Sequence, residues 1–332
     1  MSNKIIYVCM LALVMLASCG GEEVKQGKKK KVLGPVNSAP YELLVVCDKD
    51  WYGSPGGEEF RNFVNTFMPG MPQNEAIFKV ICIKSSGFTK TFCAFGCILF
   101  VNVGPEYPEE EMLTARNMYA RPQMVITLNA PTYDGIYHLI EERGDQILEL
   151  FGNNEMKRSI GLLRKRYSGI VQKNAHRMFG CDWHMPEELT QIKLGKNFFW
   201  SSSMDNTYNA CMYSYPWTSP DTFTKDYFVA KRDSFMRENI QGEEWGQHME
   251  TDASTLTVKE RMIDGHYVYC VYGLWDMKGD AMGGPFVSYV QLDSIQKKIL
   301  VTEGFVYYPN KKKKKMVHAL ESGLRTLKMN VK

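Results

Sequence analysis

Three carboxylates in the last part of the chain, Asp276, Asp280 and Glu303, have the side chains best suited to acid–base chemistry. Two carboxyls flanking a glycosidic bond are the minimal machinery of a glycosidase: one gives a proton and the other acts as base or nucleophile. Asp276 and Asp280 lie in "GLWDMKGDAMGGPFVSY", residues 273–289. The same stretch also reads as a turn. Trp275 and Asp276 end a strand, and Gly279, Gly283 and Gly284 permit backbone angles that other residues avoid. Pro285 then restarts the next strand at a sheet edge. Turn chemistry accounts for every glycine, so the stretch is expected to be a structural hairpin. Trp275, Asp276, Gly283 and Gly284 would then form a surface for a ligand or partner.

A second cluster, "HRMFGCDWH", holds His176, Cys181 and His184, residue types that zinc accepts. No second ligand pair follows at a recognised spacing. The expectation is a strand edge whose histidines meet water or a hydrogen-bond partner, with no metal and no cofactor. "YGSPGGEEF", residues 52–60, imitates a phosphate loop, but Glu58 and Glu59 would occupy the positive end of the following helix and repel an anion. The sequence has no GxSxG, HExxH, Walker or GxGxxG motif. Trp51, Trp183, Trp200, Trp217, Trp245 and Trp275, with many tyrosines, offer rings that would stack on sugars or grip a partner protein wherever they are exposed.

The elements that must position these residues fall into two parts. Residues 39–130 alternate apolar strand runs such as "YELLVVCD" with the helical period of "GGEEFRNFVNTFM". Residues 132–168 read as two helices broken at Gly152-Asn153-Asn154. The second half reads as antiparallel strands, including "HYVYCVYGLWD", "PFVSYVQLD" and "ILVTEGFVYY". Two helical segments join them, "SPDTFTKDYFVAKRDSFMRENIQG" with a proline start and a glycine end, and the closing "KKKMVHALESGLRTLK". The expected class is α+β: an α/β domain with a helical hairpin over 39–175, and an antiparallel meander with flanking helices over 176–332.

The first residues speak to location. Lys4 and the apolar run 5–17 form a signal segment too short to span a bilayer. Leu16-Ala17-Ser18-Cys19 matches a bacterial lipobox, which predicts cleavage after residue 18 and lipidation, palmitate included, of Cys19. Residues 19–38 are rich in Gly, Lys and Pro and read as a flexible tether. The expected address is the cell envelope, lipid-anchored at the outer membrane, on its periplasmic face or the cell surface. With Lys4, Lys25, Lys28 to Lys31, Glu22 and Glu23 set apart, 34 basic and 35 acidic residues remain. That balance argues against a nucleic-acid partner. Seven cysteines follow the tether. Cys47, Cys82 and Cys270 sit in apolar runs and are predicted to be reduced thiols, while Cys93 and Cys97 are close enough in sequence to pair.

The ordered series "PYELLVVCDKDWYG", "NFFWSSS", "YSYPWTSPDTFTKDYFVAKRDSFMRENIQG", "GLWDMKGDAMGGPFVSY", "EGFVYYPNKKKKK" and "ALESGLRTLK" resembles the domain-of-unknown-function family 4837 of Bacteroidetes lipoproteins. The likeness covers nearly all of the chain after the signal. It departs at Tyr272 and Tyr308, where arginine and alanine are usual, so a site built on arginine at 272 does not carry over. The resemblance implies no activity and no catalytic residues. The functional expectation is a non-enzymatic module that binds an envelope protein or glycan; the alternative is a hydrolase of envelope or dietary glycan working through the C-terminal carboxylates.

Overall fold

Residues 32–329 are described by the computed structural model. The signal segment, Cys19 and the lysine run 28–31 lie outside them. The elements run, in order, β1 (Glu42–Val46), α1 (Lys49–Gly53), α2 (Glu58–Val64), β2 (Lys79–Ile83), β3 (Cys97–Val103), β4 (Glu111–Arg116), β5 (Met124–Ala130) and α3 (Tyr133–Leu163). They continue with α4 (Gly169–Phe179), β6 (Gln191–Gly195), β7 (Phe198–Ser202), β8 (Tyr208–Pro216), α5 (Lys225–Asn239) and β9 (His248–Ile263). The last are β10 (His266–Lys278), β11 (Gly283–Asp293), β12 (Lys298–Val306) and α6 (Lys314–Leu324). Two sheets with helices on their faces make the fold α+β.

The first sheet has the order β2-β1-β3-β5-β4, parallel except for the antiparallel edge strand β4. Its central strands carry unbroken apolar runs because both faces are covered. Leu43 and Val45 face α2 and α3. Leu44 and Val46 face the other way, toward Phe95 and the partly buried Phe88 and Phe92. Those rings come from short 3-10 turns and their flanks, so among the described residues this face is covered by 3-10 turns and not by an α-helix.

The break expected at Gly152 does not occur. One helix, α3, runs unbroken for 31 residues, capped by Thr132 accepting from the Gly135 amide. An interior glycine costs a helix only about 1 kcal/mol. Burial of Ile136, Leu139, Ile147 and Phe151 outweighs that. Asn154 and Glu155 also tie the helix to the sheet. Asn154 Nδ2 donates to the Gly96 carbonyl at 3.0 Å, and Glu155 Oε2 accepts from the Tyr41 amide at 2.9 Å.

The second sheet is antiparallel, in the order β6-β7-β8-β12-β11-β10-β9. One face, including Cys270, Tyr272, Val287, Tyr289 and Leu300, packs on α4 and α6. The opposite face, including Val271, Trp275, Phe286, Val301 and Phe305, packs on Phe228 and Met236 of α5. Helix α6 also lies against α3, so it is the layer that joins the two sheet systems. From Leu33 onward the chain is one compact unit. Helix α4 runs across residues 175 and 176, so a boundary drawn there cuts a helix. Helix α5 ends at Asn239 with Ile240 as its cap, not at Gly242.

Candidate functional site

The three carboxylates do not converge. Asp276 pairs in register with Gly283, and Glu303 pairs with Ser288. These positions are five residues apart on β11, roughly 16 Å at ~3.3 Å per residue. Because five is odd, they also lie on opposite faces of the sheet. Asp276 and Asp280 are exposed, whereas Glu303 is fully buried and held by Arg232. Arg232 Nε donates to Glu303 Oε2 at 2.9 Å and Nη2 to Oε1 at 2.8 Å. Ser288 Oγ also donates to Oε2. Glu303 is therefore part of the core.

The opening hairpin also differs from its expected form. Strand β10 continues past Asp276 to Lys278, and the turn is residues 279–282, closed by Met277 N to the Met282 carbonyl at 2.8 Å. Gly279, at φ +81°, supplies the left-handed position. Gly283 and Gly284 do not have positive φ; they are needed for close approach. A Cβ on Gly284 would lie 2.0 Å from the Val306 carbonyl oxygen. Pro285 sits within β11, between β10 and β12, and not at a sheet edge. Trp275 is 1% exposed and packs against Phe305, so it belongs to the core and not to a surface.

The histidine–cysteine cluster is not a strand edge. His176 lies in the last turn of α4, which Gly180 caps in the left-handed conformation at φ +66°. Cys181 is buried. His184 stacks on Tyr167 with centroids 3.9 Å apart and meets Asp182 at 3.2 Å. The three side chains thus have separate settings. Cys93 and Cys97 are both free thiols, and Cys97 faces the Phe151 carbonyl and Glu155. Of the tryptophans, Trp217 and Trp245 are exposed.

The structure assembles a different set of residues. His318 and Glu321 of α6, with Arg325 at its C-cap, recur at i, i+3 and i+7, which places them on one helical face. That face borders a cavity of about 710 Å³ closed by α3, the segment 66–69 and β9–β10. The His318 ring stacks on Tyr41 with centroids 3.5 Å apart and planes 7° apart. The ring is buried, with the Ile77 backbone as a polar neighbour. Burial pushes its pKa down to about 4, so the ring is neutral near pH 7. Glu321 Oε1 accepts from the Tyr272 hydroxyl at 2.6 Å and the Tyr289 hydroxyl at 2.9 Å. Arg325 Nε donates to the Tyr289 hydroxyl at 3.2 Å. Burial, and next the Glu321 charge, hold both tyrosines well above their usual pKa, so they stay protonated donors. On the rim, Arg261 Nη1 lies 3.9 Å from Glu149, while Arg261 Nε is buried without a hydrogen-bond partner. Lys259 and Asp145 complete the charged wall, while the Glu260 carboxylate alternates to the opposite face of β9, beside Tyr267 and Tyr269.

Residues 169–326 match the family model described as Domain of unknown function (DUF4837). They form a DUF4837 domain. Residues 37–164 match a second model, Domain of unknown function (DUF8532). A search of curated proteins gave no match. A crystal structure from Bacteroides thetaiotaomicron VPI-5482 is similar at 12% identity over 45% of this chain and 44% of that one, with a TM-score of 0.20. The chain thus spans under half the length of that structure.

The cleft lies where the two matched regions meet. The DUF4837 domain supplies Lys259, Arg261, Tyr272, His318, Glu321 and Arg325. The DUF8532 region supplies Tyr41, Phe67, Asp145 and Glu149. Tyr272, one of the two departures from the resemblance noted above, lines the cleft and donates to Glu321. Reading the sequence for motifs missed this group. Its one local signal is the polar i, i+3, i+7 stripe among the apolar residues Met316, Val317, Leu320 and Leu324 of α6.

Proposed function

We propose that this chain is a lipid-anchored cell-envelope protein that works by binding, and that its site is the cleft between α6, α3 and β9–β10. The observation that carries this is a cavity of about 710 Å³ in whose wall Asp145, Glu149, Lys259, Arg261, Glu321 and Arg325 stand beside aromatic rings. The cavity volume falls within the roughly 300–1,000 Å³ of small-molecule pockets. Its wall combines ring faces, Tyr41 and Phe67, with charges of both signs. That mixture suits a glycan fragment of the envelope, which carries apolar ring faces and many hydroxyls; a polar segment of an envelope protein is the other candidate. The lipobox at Cys19 supports the anchor.

A second reading, hydrolysis of envelope or dietary glycan, draws on Glu149 and Glu321, which line the same cleft. One experiment separates these readings. Full-length protein and the variants Arg261→Ala, His318→Gln, Asp276→Asn and Asp280→Asn, each checked by thermal melting, are offered oligosaccharides released from the envelope. Binding is expected to weaken about tenfold or more in the cleft variants, as for the loss of one charged hydrogen bond, and to persist in the loop variants. The reverse pattern moves the site to the hairpin and ends the cleft reading. New reducing ends that vanish in Glu149→Gln would assign hydrolysis.

A further inference from the structure

The carboxyl ends of β1 and β2 hold two cysteines that no motif links. Cys47 directly follows β1, and its amide extends the ladder by donating to the Ile83 carbonyl at 3.1 Å. Cys82 lies within β2, opposite Val45 in register. Cys47 is two positions after Val45, so Cys47 and Cys82 point to the same face of the sheet. Their Sγ atoms are 3.5 Å apart, and both are free thiols. Cys47 is 1% exposed, whereas Cys82 is half-buried. Cys47 also borders a cavity of about 540 Å³ at the ends of β1, β2 and β3, with Asp48, Lys84, Asn102 and Glu106 in its wall. In open sheets of this kind the crevice beyond the strand ends, where the order reverses, is the place where small molecules reach the fold.

We propose that Cys47 and Cys82 are a reversible dithiol–disulfide couple, with Cys82 the attacking thiol and Cys47 the resolving one. The hydrogen bond from Cys47 holds the Cys82 thiol below its ordinary pKa; burial opposes this and the Lys49 charge assists it. The same hydrogen bond, then burial, push Cys47 far above its ordinary value. Reactivity follows the thiolate and its access, and both favour Cys82. The oxidant is a disulfide, for which oxidised glutathione serves as the probe. Cys82 thiolate attacks one glutathione sulfur and expels the other glutathione as thiolate, leaving a mixed disulfide. Cys47 then releases its proton and attacks Cys82 Sγ, closing the pair to a bonded length of about 2.05 Å and expelling the second glutathione. One S–S bond forms in the protein and one is lost from the reagent. Two electrons and two protons pass from the protein thiols to glutathione.

The test uses the full chain, oxidised glutathione, alkylation and peptide mass mapping. Cys93 is replaced by serine to remove another partly exposed thiol. In the otherwise native protein, alkylation at Cys47 and Cys82 should fall together by about tenfold as a linked peptide appears, and dithiothreitol should restore it. Cys47→Ser should trap glutathione on Cys82, and Cys82→Ser should leave Cys47 unmodified. Glutathione accumulating on Cys82 of the native pair without closure overturns the proposal, as does full alkylation of both thiols. An adduct on Cys47 in Cys82→Ser overturns the order of attack. The native pair is scored without any substitution at 47 or 82, so the result stands even if a serine variant misfolds.

Discussion

Two buried ionisable side chains show what single residues do here. Glu303 reads from the sequence as a candidate acid, but in the fold it is the counter-charge of Arg232. Removing one partner of a buried pair strands the other, at about 3–5 kcal/mol. Glu303→Gln is therefore expected to lower the free energy of unfolding by that amount, while Asp276→Asn, exposed and away from the pair, changes it by less than about 0.5 kcal/mol. Urea melts of the two variants check this. His318 contributes through pH. Its folded pKa of about 4 lies below the ordinary 6.5. The unfolded chain therefore binds the proton more readily between those values. Stability from keeping His318 neutral is full above pH 6.5 and is lost as pH falls toward 4. The shift corresponds to about 3 kcal/mol. The groups acting on the ring are Glu321, which favours its charge, Lys314, which opposes it, and a hydrogen bond with the Ile77 backbone, which favours it. Melts of the native protein and of His318→Gln across this window should differ in slope, with the variant flatter. Equal slopes would show that His318 does not carry the effect.

At the scale of elements, glycines in similar sequence settings have different work. Gly284→Ala would press a methyl into the Val306 carbonyl between two central strands. Overpacking of this kind costs about 1–3 kcal/mol. Gly152 lies within the long helix α3, and a Cβ there meets nothing within 4 Å. Gly152→Ala is expected to stabilise the protein by about 0.5–1 kcal/mol through the lower entropy of its unfolded chain. Differential scanning calorimetry should therefore show opposite shifts in Tm, and a fall for Gly152→Ala would contradict the unbroken helix. Strand runs and helical periods were legible because burial imposes them on neighbouring residues. The continuity of α3 was not, because what overrides the glycine is contact with β3, β5 and α6, distant in the sequence.

For the whole molecule, the prediction concerns the anchor. If Cys19 carries the lipid, Cys19→Ala should move the protein from the membrane pellet to the soluble fraction and abolish labelling by fatty acid. Retention of both in the variant would end the anchoring proposal. The address is written in contiguous residues because export and lipidation machinery read an extended peptide, so charge, apolar length and a four-residue box suffice. The α+β class was legible for a related reason: the period of apolar residues is a local property that each sheet and helix face imposes on its own segment. The likeness to DUF4837 came from the same kind of ordered local blocks. The candidate site was not local. Tyr41 precedes β1, Tyr272 and Tyr289 lie on adjacent strands, and His318, Glu321 and Arg325 come from the last helix and its C-cap. Only the docking of α6 between α3 and the second sheet brings them to one cavity. The same dependence gave Glu303 to the core and set Cys47 beside Cys82. A side chain's type fixes what chemistry it can do; desolvation and neighbours fix whether it does it, and both are set by contacts between residues far apart in the chain.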